Sequence, residues 1–544
     1  MPRLFSLLLL VLFTLAHADA AEKPRLVLLL TVDQLRGDMP QRLHERFGKS
    51  GFRYLMEHGL DYTNANYLHS TTFTAVGHAT LATGGNPPEH GLAGNDWADP
   101  LTGERVYCVE DGHHQLLGAK TKPHSGTSPR NLTASTFGDE LVMASAGRSR
   151  VFSVSTKDRG AILPGGHLGK AFWYHGGSGR YISSTYYYDE LPAWVQHWNG
   201  KALADNYRGK IWDLLRPRHE YVFGEFDQRP EEQDKDGLGR SFPHTLDTVE
   251  PKDFYKRLRF TPMSDELLVD FAKTLLREEK LGQGKFTDVL AISLSATDFI
   301  GHVFGPDSLE YEDNQLRLDR QLAALLAAVD KQVGLKNTLV ILTGDHGSAP
   351  IPEAQKKRGF HAGRVDTKAF LEAANRAVKQ RFNIGADLVT EFWNPSIYLD
   401  LVGIRRLGLD LYEVEKTVAD AVSEVEGIDY ALPRTELLKG AQAGDPIVAR
   451  LHRSFHPKRS GNVLIGQGSY WFLHAKPSKY AATHGSPHNY DTHVPLMIAG
   501  PGIGAKTISR PVAPESIAAT ITTILGVQAP SGSVGAPLTE AVGY

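Results

Sequence analysis

The sequence predicts an α/β protein built on a doubly wound, mostly parallel sheet. Three observations point there: five apolar runs bounded by turn signals, amphipathic helical patterns between them, and acidic or histidine residues where the runs stop. The runs are Arg25 to Val32, Ser149 to Val154, Thr287 to Leu294, Asn337 to Leu342 and Val494 to Ala499. Each reads as a parallel strand buried on both faces, because it is nearly continuous in Val, Ile and Leu instead of alternating. Ser264 to Leu281 reads as a helix with Ser264 as its cap and Glu266 in its first turn, and Leu309 to Val333 as a second, longer helix. Alternating strands and helices fold as βαβ units with helices on both faces.

Two regions break the alternation. About 165–257 is rich in aromatics and glycine (FWYHGGSGRY, STYYYDELPAWVQHW), and about 351–479 carries its own helices and strands. Both are expected to be insertions that rise over the carboxyl edge of the sheet, within one catalytic unit spanning 21–544. No internal repeat or low-complexity linker interrupts the chain.

Arg3, the apolar run Leu4 to Leu15 and Ala18-Asp19-Ala20 have the layout of a cleaved secretory signal over residues 1–20. The run is shorter than the roughly 20 residues that span a bilayer, which disfavours an uncleaved anchor. A periplasmic or secreted protein is therefore expected. Cys108 is the only cysteine of the 544 residues, so no intrachain disulfide can form, and a bacterial periplasm suits that better than a eukaryotic extracellular space. Hydrophobic residues at 41% and charged residues at 22% exclude a disordered or fibrous class. A formal net charge of -3 leaves no basic excess of the kind that nucleic-acid binding requires.

The runs end on ligand-type side chains. Asp33 closes the first, Asp345 and His346 follow the fourth in GDHG, and Asp298 and His302 stand four apart in SATDFIGH, on one face if that stretch is helical. His484, in THGSPHNYDTH, adds a nitrogen, with His488 and His493 as competitors for the same role. Singly, each has a bland reading: an Asx turn, a helix cap or a surface pair. Together they place six nitrogen and oxygen ligands at one sheet edge, where open α/β sheets keep their sites. Imidazole mixed with carboxylate suits two Zn²⁺ ions best, with manganese and iron as alternatives.

In HSTTFTAVGHAT a helix is expected to begin at Thr74 or just beyond, with Ala75, Gly77 and Ala79 keeping its start uncluttered. A hydroxyl there faces backbone N–H groups and the positive helix end, and beside a bound cation it becomes a nucleophile; alternatively Thr74 is a simple cap. His78 reads as a packed or supporting histidine. Asn95 in GNDW, with Lys157 and Arg159 in STKDRG, offers an amide and two cations to phosphoryl oxygens. Strand alternation is expected to turn both cations the same way across the site mouth, and two fixed cations favour a dianion.

At these residues the sequence resembles the alkaline phosphatase superfamily, and within it the PafA-like monomeric, zinc-dependent bacterial phosphatases with a threonine nucleophile, which implies a monomer. The resemblance covers essentially all of the chain after residue 20. It implies that Thr74 is the nucleophile, that Asp33, Asp345 and His346 hold the zinc that also takes Thr74 as a ligand, and that Asp298, His302 and His484 hold the zinc at the leaving group. It further implies that Asn95, Lys157 and Arg159 bind the phosphoryl group of small-molecule phosphate monoesters. The sulfatase branch needs Cys or Ser in C/S-x-P-x-R, and Cys108 in YCVEDG does not match. Two rivals remain, a phosphodiesterase or nucleotide pyrophosphatase of the same superfamily and a non-catalytic, metal-stabilised secreted binding protein.

Overall fold

The computed structural model describes residues 23–246, 251–440 and 444–543, so the expected signal segment lies outside the described residues. Ten strands form the main sheet. In chain order they are β1 (Leu26–Val32), β2 (Leu60–Asn66), β3 (Leu116–Leu117), β4 (Val151–Ser155), β5 (Lys170–His175), β6 (Arg180–Ser184), β7 (Asp288–Leu294), β8 (Thr338–Thr343), β9 (His493–Ala499) and β10 (Lys506–Ile508). Across the sheet they run β10-β2-β9-β8-β1-β7-β4-β5-β6-β3.

The centre is parallel, as the buried apolar runs predict: β1 pairs with β7 and β8, and β7 with β4, all in parallel. Every residue of β1 is buried, and its side chains alternate between two cores. Leu26, Leu28, Leu30 and Val32 face one cluster, and Val27 and Leu29 the other. Because both faces are covered, none of these strands needs a polar side.

The fifth run departs from expectation. β9 is antiparallel to both β8 and β2. Hydrophobic periodicity carries no direction, and β9 starts at the edge where β8 and β2 stop, directly after the loop bearing His484. The aromatic segment also differs in part, since β5 and β6 widen the main sheet at its β4 side instead of standing above it. Ser264 does not cap its helix: the helix Met263–Glu278 starts one residue earlier, after Pro262, and the Ser264 hydroxyl lies 3.3 Å from that of Thr156. The long helix Leu309–Gln332 is capped by Ser308, whose side chain accepts from Tyr311 N–H.

Residues 389–467 supply a second, four-stranded sheet. The helices Thr367–Phe382 and Leu411–Ser423 cover it through the stripes Phe370, Ala374, Val378 and Val414, Val418, Val422, spaced for one helical face. This unit is tied to the loop before Thr74, since Ser454 Oγ accepts from Ser70 N at 2.8 Å and Thr71 N at 3.0 Å. No helix among the described residues is long and apolar enough to cross a membrane.

Candidate metal centre

β1, β7, β8 and β4 end level with one another, since Thr31 pairs with both Ser293 and Thr343, and Ser293 with Ser155. The residues that follow therefore converge. Asp33 comes from β1, Asp345 and His346 from the turn after β8, and Asp298 and His302 from the helix Ala296–Phe304 after β7. In that helix the four-residue spacing puts both side chains on one face, with His302 Nε2 3.2 Å from Asp298 Oδ1. His484 joins them from the loop before β9, its Nε2 3.5 Å from the same oxygen.

The result is two triads, Asp33, Asp345, His346 and Asp298, His302, His484, in each of which one ligand atom per residue lies within 4.8 Å of the others. His488 and His493 point elsewhere, to Gln467 O at 2.9 Å and Thr63 O at 3.1 Å.

Each of the three imidazoles has its Nδ1 on a backbone carbonyl: His302 on Ala482 O at 2.9 Å, His346 on Gly347 O at 2.9 Å, and His484 on Thr72 O at 2.7 Å. A carbonyl only accepts, so Nδ1 carries the proton and the Nε2 lone pair faces the triad, as metal ligation requires. Burial also pushes His346 down to about 3, which keeps it neutral.

The carboxylates are short of positive charge. Burial, with the charges of Asp298 and Asp345, pushes the Asp33 carboxyl well up from its ordinary value. Asp345 is held low despite its burial, because His78 beside it favours its charged form. Among the described residues, neither oxygen of Asp33 accepts a hydrogen bond and His346 Nε2 makes none. Asp33 Oδ2 does have the Lys157 ammonium at 2.7 Å, an ion pair without hydrogen-bond geometry. Three buried carboxylates against one lysine, with inward-facing imidazole lone pairs, are a donor set that fits divalent cations.

Thr74 is the first residue of the helix Thr74–Thr83 and is almost fully buried. It is not the cap, since Phe73 occupies that position and Asn95 Oδ1 accepts from Ala75 N at 2.9 Å. The helix start is therefore satisfied from outside and the Thr74 hydroxyl is left for other work. His78, one turn on, braces the site, with Nδ1 2.8 Å from Thr74 O and 3.2 Å from Asp345 Oδ2, and Nε2 2.8 Å from Ser293 Oγ.

The helix also touches the Asp345 turn directly. A Cβ on Gly77 would lie 2.0 Å from Asp345 O. Gly77→Ala must shift the helix or the turn, and a displacement near 1 Å at reacting groups costs about 100-fold. We expect kcat/KM to fall by that order in Gly77→Ala while the far-ultraviolet circular dichroism stays that of the parent.

Lys157 and Arg159 line one cavity, but strand alternation is not the reason. β4 stops at Ser155, Lys157 is the N-cap of the helix Asp158–Gly165, and Arg159 sits in its first turn. Lys157 Nζ reaches Asp33, Asp298 and, at 3.4 Å, Thr74 Oγ1. It thus touches one carboxylate of each triad and the hydroxyl together. Arg159 Nη1 is 3.4 Å from the Tyr107 hydroxyl, which itself donates to Asp158 Oδ1 at 2.5 Å. The buried Nε of Arg159 has no acceptor among the described residues.

Two supports escape sequence reading. Gln34, in a left-handed conformation (φ 66°), donates its backbone N–H to Asp345 Oδ1 at 3.1 Å and its amide to Asp298 Oδ1 at 3.0 Å, stitching the triads together. A Cβ on Gly301 would lie 1.8 Å from the Gln34 amide oxygen, so the glycine inside SATDFIGH makes room for that bridge. The adjacency of Gln34 to Asp33 was the only available signal.

The chain is similar to known proteins over nearly its whole length. The family model described as type I phosphodiesterase / nucleotide pyrophosphatase matches residues 27–491. The alkaline phosphatase PafA of Elizabethkingia meningoseptica is 35% identical over 539 residues, 96% of each chain. A Myroides odoratus protein named calcium-transporting ATPase is 35% identical over 536 residues, 97% of each chain. The crystal structure of wild-type PafA superposes with a TM-score of 0.88 at 34% identity, covering 96% of this chain and 100% of that one.

Proposed function

The chain belongs to the type I phosphodiesterase / nucleotide pyrophosphatase family and is a phosphatase of the alkaline phosphatase superfamily, and from that premise we propose that it hydrolyses phosphate monoesters through a phosphothreonine intermediate, with two Zn²⁺ ions as cofactors. The observation that carries the reading is the position of Lys157, whose ammonium meets Asp33, Asp298 and the Thr74 hydroxyl at once. A phosphoryl group beside Lys157 is therefore within reach of the nucleophile and of both triads.

Asp33, Asp345 and His346 would hold one cation beside Thr74, and Asp298, His302 and His484 the other. When bound, such ions supply Lewis acidity that favours the ionised hydroxyl and neutralises charge on the departing oxygen. Thr74 Oγ forms a bond to phosphorus as the bond from phosphorus to the ester oxygen breaks, and the released alcohol takes up a proton. Water then attacks the phosphothreonine, releasing phosphate and restoring the hydroxyl. Lys157, Arg159 and the N–H donors of Asn95 hold the equatorial oxygens, where phosphoryl transfer is decided by positioning and charge.

A diesterase sharing the same metals and threonine is the rival that the family description suggests. A diester carries one charge fewer than a monoester, so two fixed cations favour the monoester. Lys157→Ala with Arg159→Ala is expected to lower kcat/KM for p-nitrophenyl phosphate by about 100-fold or more, the loss of two charge-assisted contacts. The loss for bis-p-nitrophenyl phosphate should be far smaller; equal losses would show that the pair does not set the preference. The reading extends to a periplasmic or secreted location, supported by the layout of residues 1–20 and the single cysteine.

A further inference from the structure

The cavity that opens on Lys157 and Arg159, of about 560 Å³, is far more basic than the phosphoryl site alone requires. Its walls also carry Lys120, Lys122, Lys235, Arg259 and Lys479, against the carboxylates Asp158 and Asp298 among the described residues. The whole chain has a net charge of -3, so this concentration of cations is local.

Arg259 is the best placed of them. Its guanidinium lies over the Phe299 ring at 5.0 Å, and Lys157 Nζ lies 5.2 Å from the same ring centre, so the two cations are no more than about 10 Å apart. Phe299 is next to Asp298 in the chain, which fixes the pair relative to the reacting centre. Among the described residues no carboxylate forms an ion pair with Arg259; its Nε donates to Lys256 O at 3.3 Å, and Asp158 and Asp236 act on it only at longer range. Lys235, which also pairs with Asp236 at 3.5 Å, lies 5.4 Å from the Phe260 ring centre, and Phe260 packs 5.2 Å from Phe299, so a second cation shares the same aromatic wall. Lys479 lies over Tyr480, whose ring is 4.7 Å from that of His302, on the leaving-group triad.

We propose that Arg259, supported by Lys235 and Lys479, forms a subsite for a second anionic group, so that the preferred monoesters carry a carboxylate or a further phosphate on the alcohol they release. The inference rests on the phosphomonoesterase reading and names its substrate class. Arginine suits this role, because its planar fork holds a carboxylate or phosphate through two parallel hydrogen bonds while its face stays stacked on the ring.

The test compares 3-phosphoglycerate with glycerol 3-phosphate, which differ by one carboxylate, on the zinc-loaded protein and on Arg259→Gln. The parent should favour 3-phosphoglycerate in kcat/KM by about tenfold or more, the worth of one charge-assisted contact. Arg259→Gln should remove most of that preference, chiefly by raising KM for 3-phosphoglycerate, and Arg259→Lys should keep part of it. Should Arg259→Gln fail to fold, Lys235→Gln with Lys479→Gln must shrink the preference, as must raising salt from about 20 to about 200 mM. Equal kcat/KM for the two esters in the parent would overturn the subsite and leave the phosphatase reading standing. If neither ester is hydrolysed, both readings fall.

Discussion

Thr74→Ala is expected to stop monoester turnover, a loss on the order of 10⁴-fold or more, as when other enzymes lose their nucleophile. The size follows from what the hydroxyl does. It sits at a helix start where Asn95 already accepts from Ala75 N, and it accepts from the Lys157 ammonium at 3.4 Å. Alanine fits the same helical position at no cost in propensity, so the fold should be kept. Thr74 is also the group both steps of the reaction share, and its loss removes the covalent route altogether. Zinc content should stay near that of the parent, because each triad keeps its three side chains. Thr74→Ser, which restores a hydroxyl on a less constrained Cβ, should recover a large part of the rate. Stopped activity with full metal content supports the assignment, whereas an active Thr74→Ala would end it.

Removal of the metals should have the second large effect. With chelator, p-nitrophenyl phosphate turnover is expected to fall to background and to return on adding zinc. Stability should fall as well. Three buried carboxylates would then be balanced by Lys157 alone, and ligand linkage at 100 times Kd is worth about 2.7 kcal/mol per site. The melting temperature should therefore drop measurably with chelator, and His484→Ala, which removes one of three side chains from its triad, should mimic part of the loss. Chelator that leaves both rate and melting temperature unchanged would show that the triads are not metal sites.

The legible parts of this protein were those where one physical signal dominates. Continuous apolar runs mark buried strands, and the residues that end them, Asp33, Asp345, His346 and the Asp298–His302 pair, fall at the carboxyl edge because parallel strands all finish there. What could not be read was direction and long-range packing. Val494 to Ala499 has the same apolar signature whichever way it runs, and it runs opposite to β8. Lys157 and Arg159 share a cavity because a helix begins between them, which strand alternation cannot express. The choice of His484 over His488 and His493 depended on which ring met the carbonyl of Thr72, a residue more than 400 positions away. Gln34 and Arg259 carry no motif at all, and only the fold brings one to the triads and the other to the cavity wall.

The most direct test of a two-cation centre is anomalous diffraction from crystals of the zinc-loaded protein, recorded on both sides of the zinc edge. Two peaks are expected, each about 2.0–2.2 Å from its ligand atoms, one among Asp33, Asp345 and His346 and the other among Asp298, His302 and His484. Zinc bound elsewhere, or a single peak with the second triad bare of metal, would contradict it.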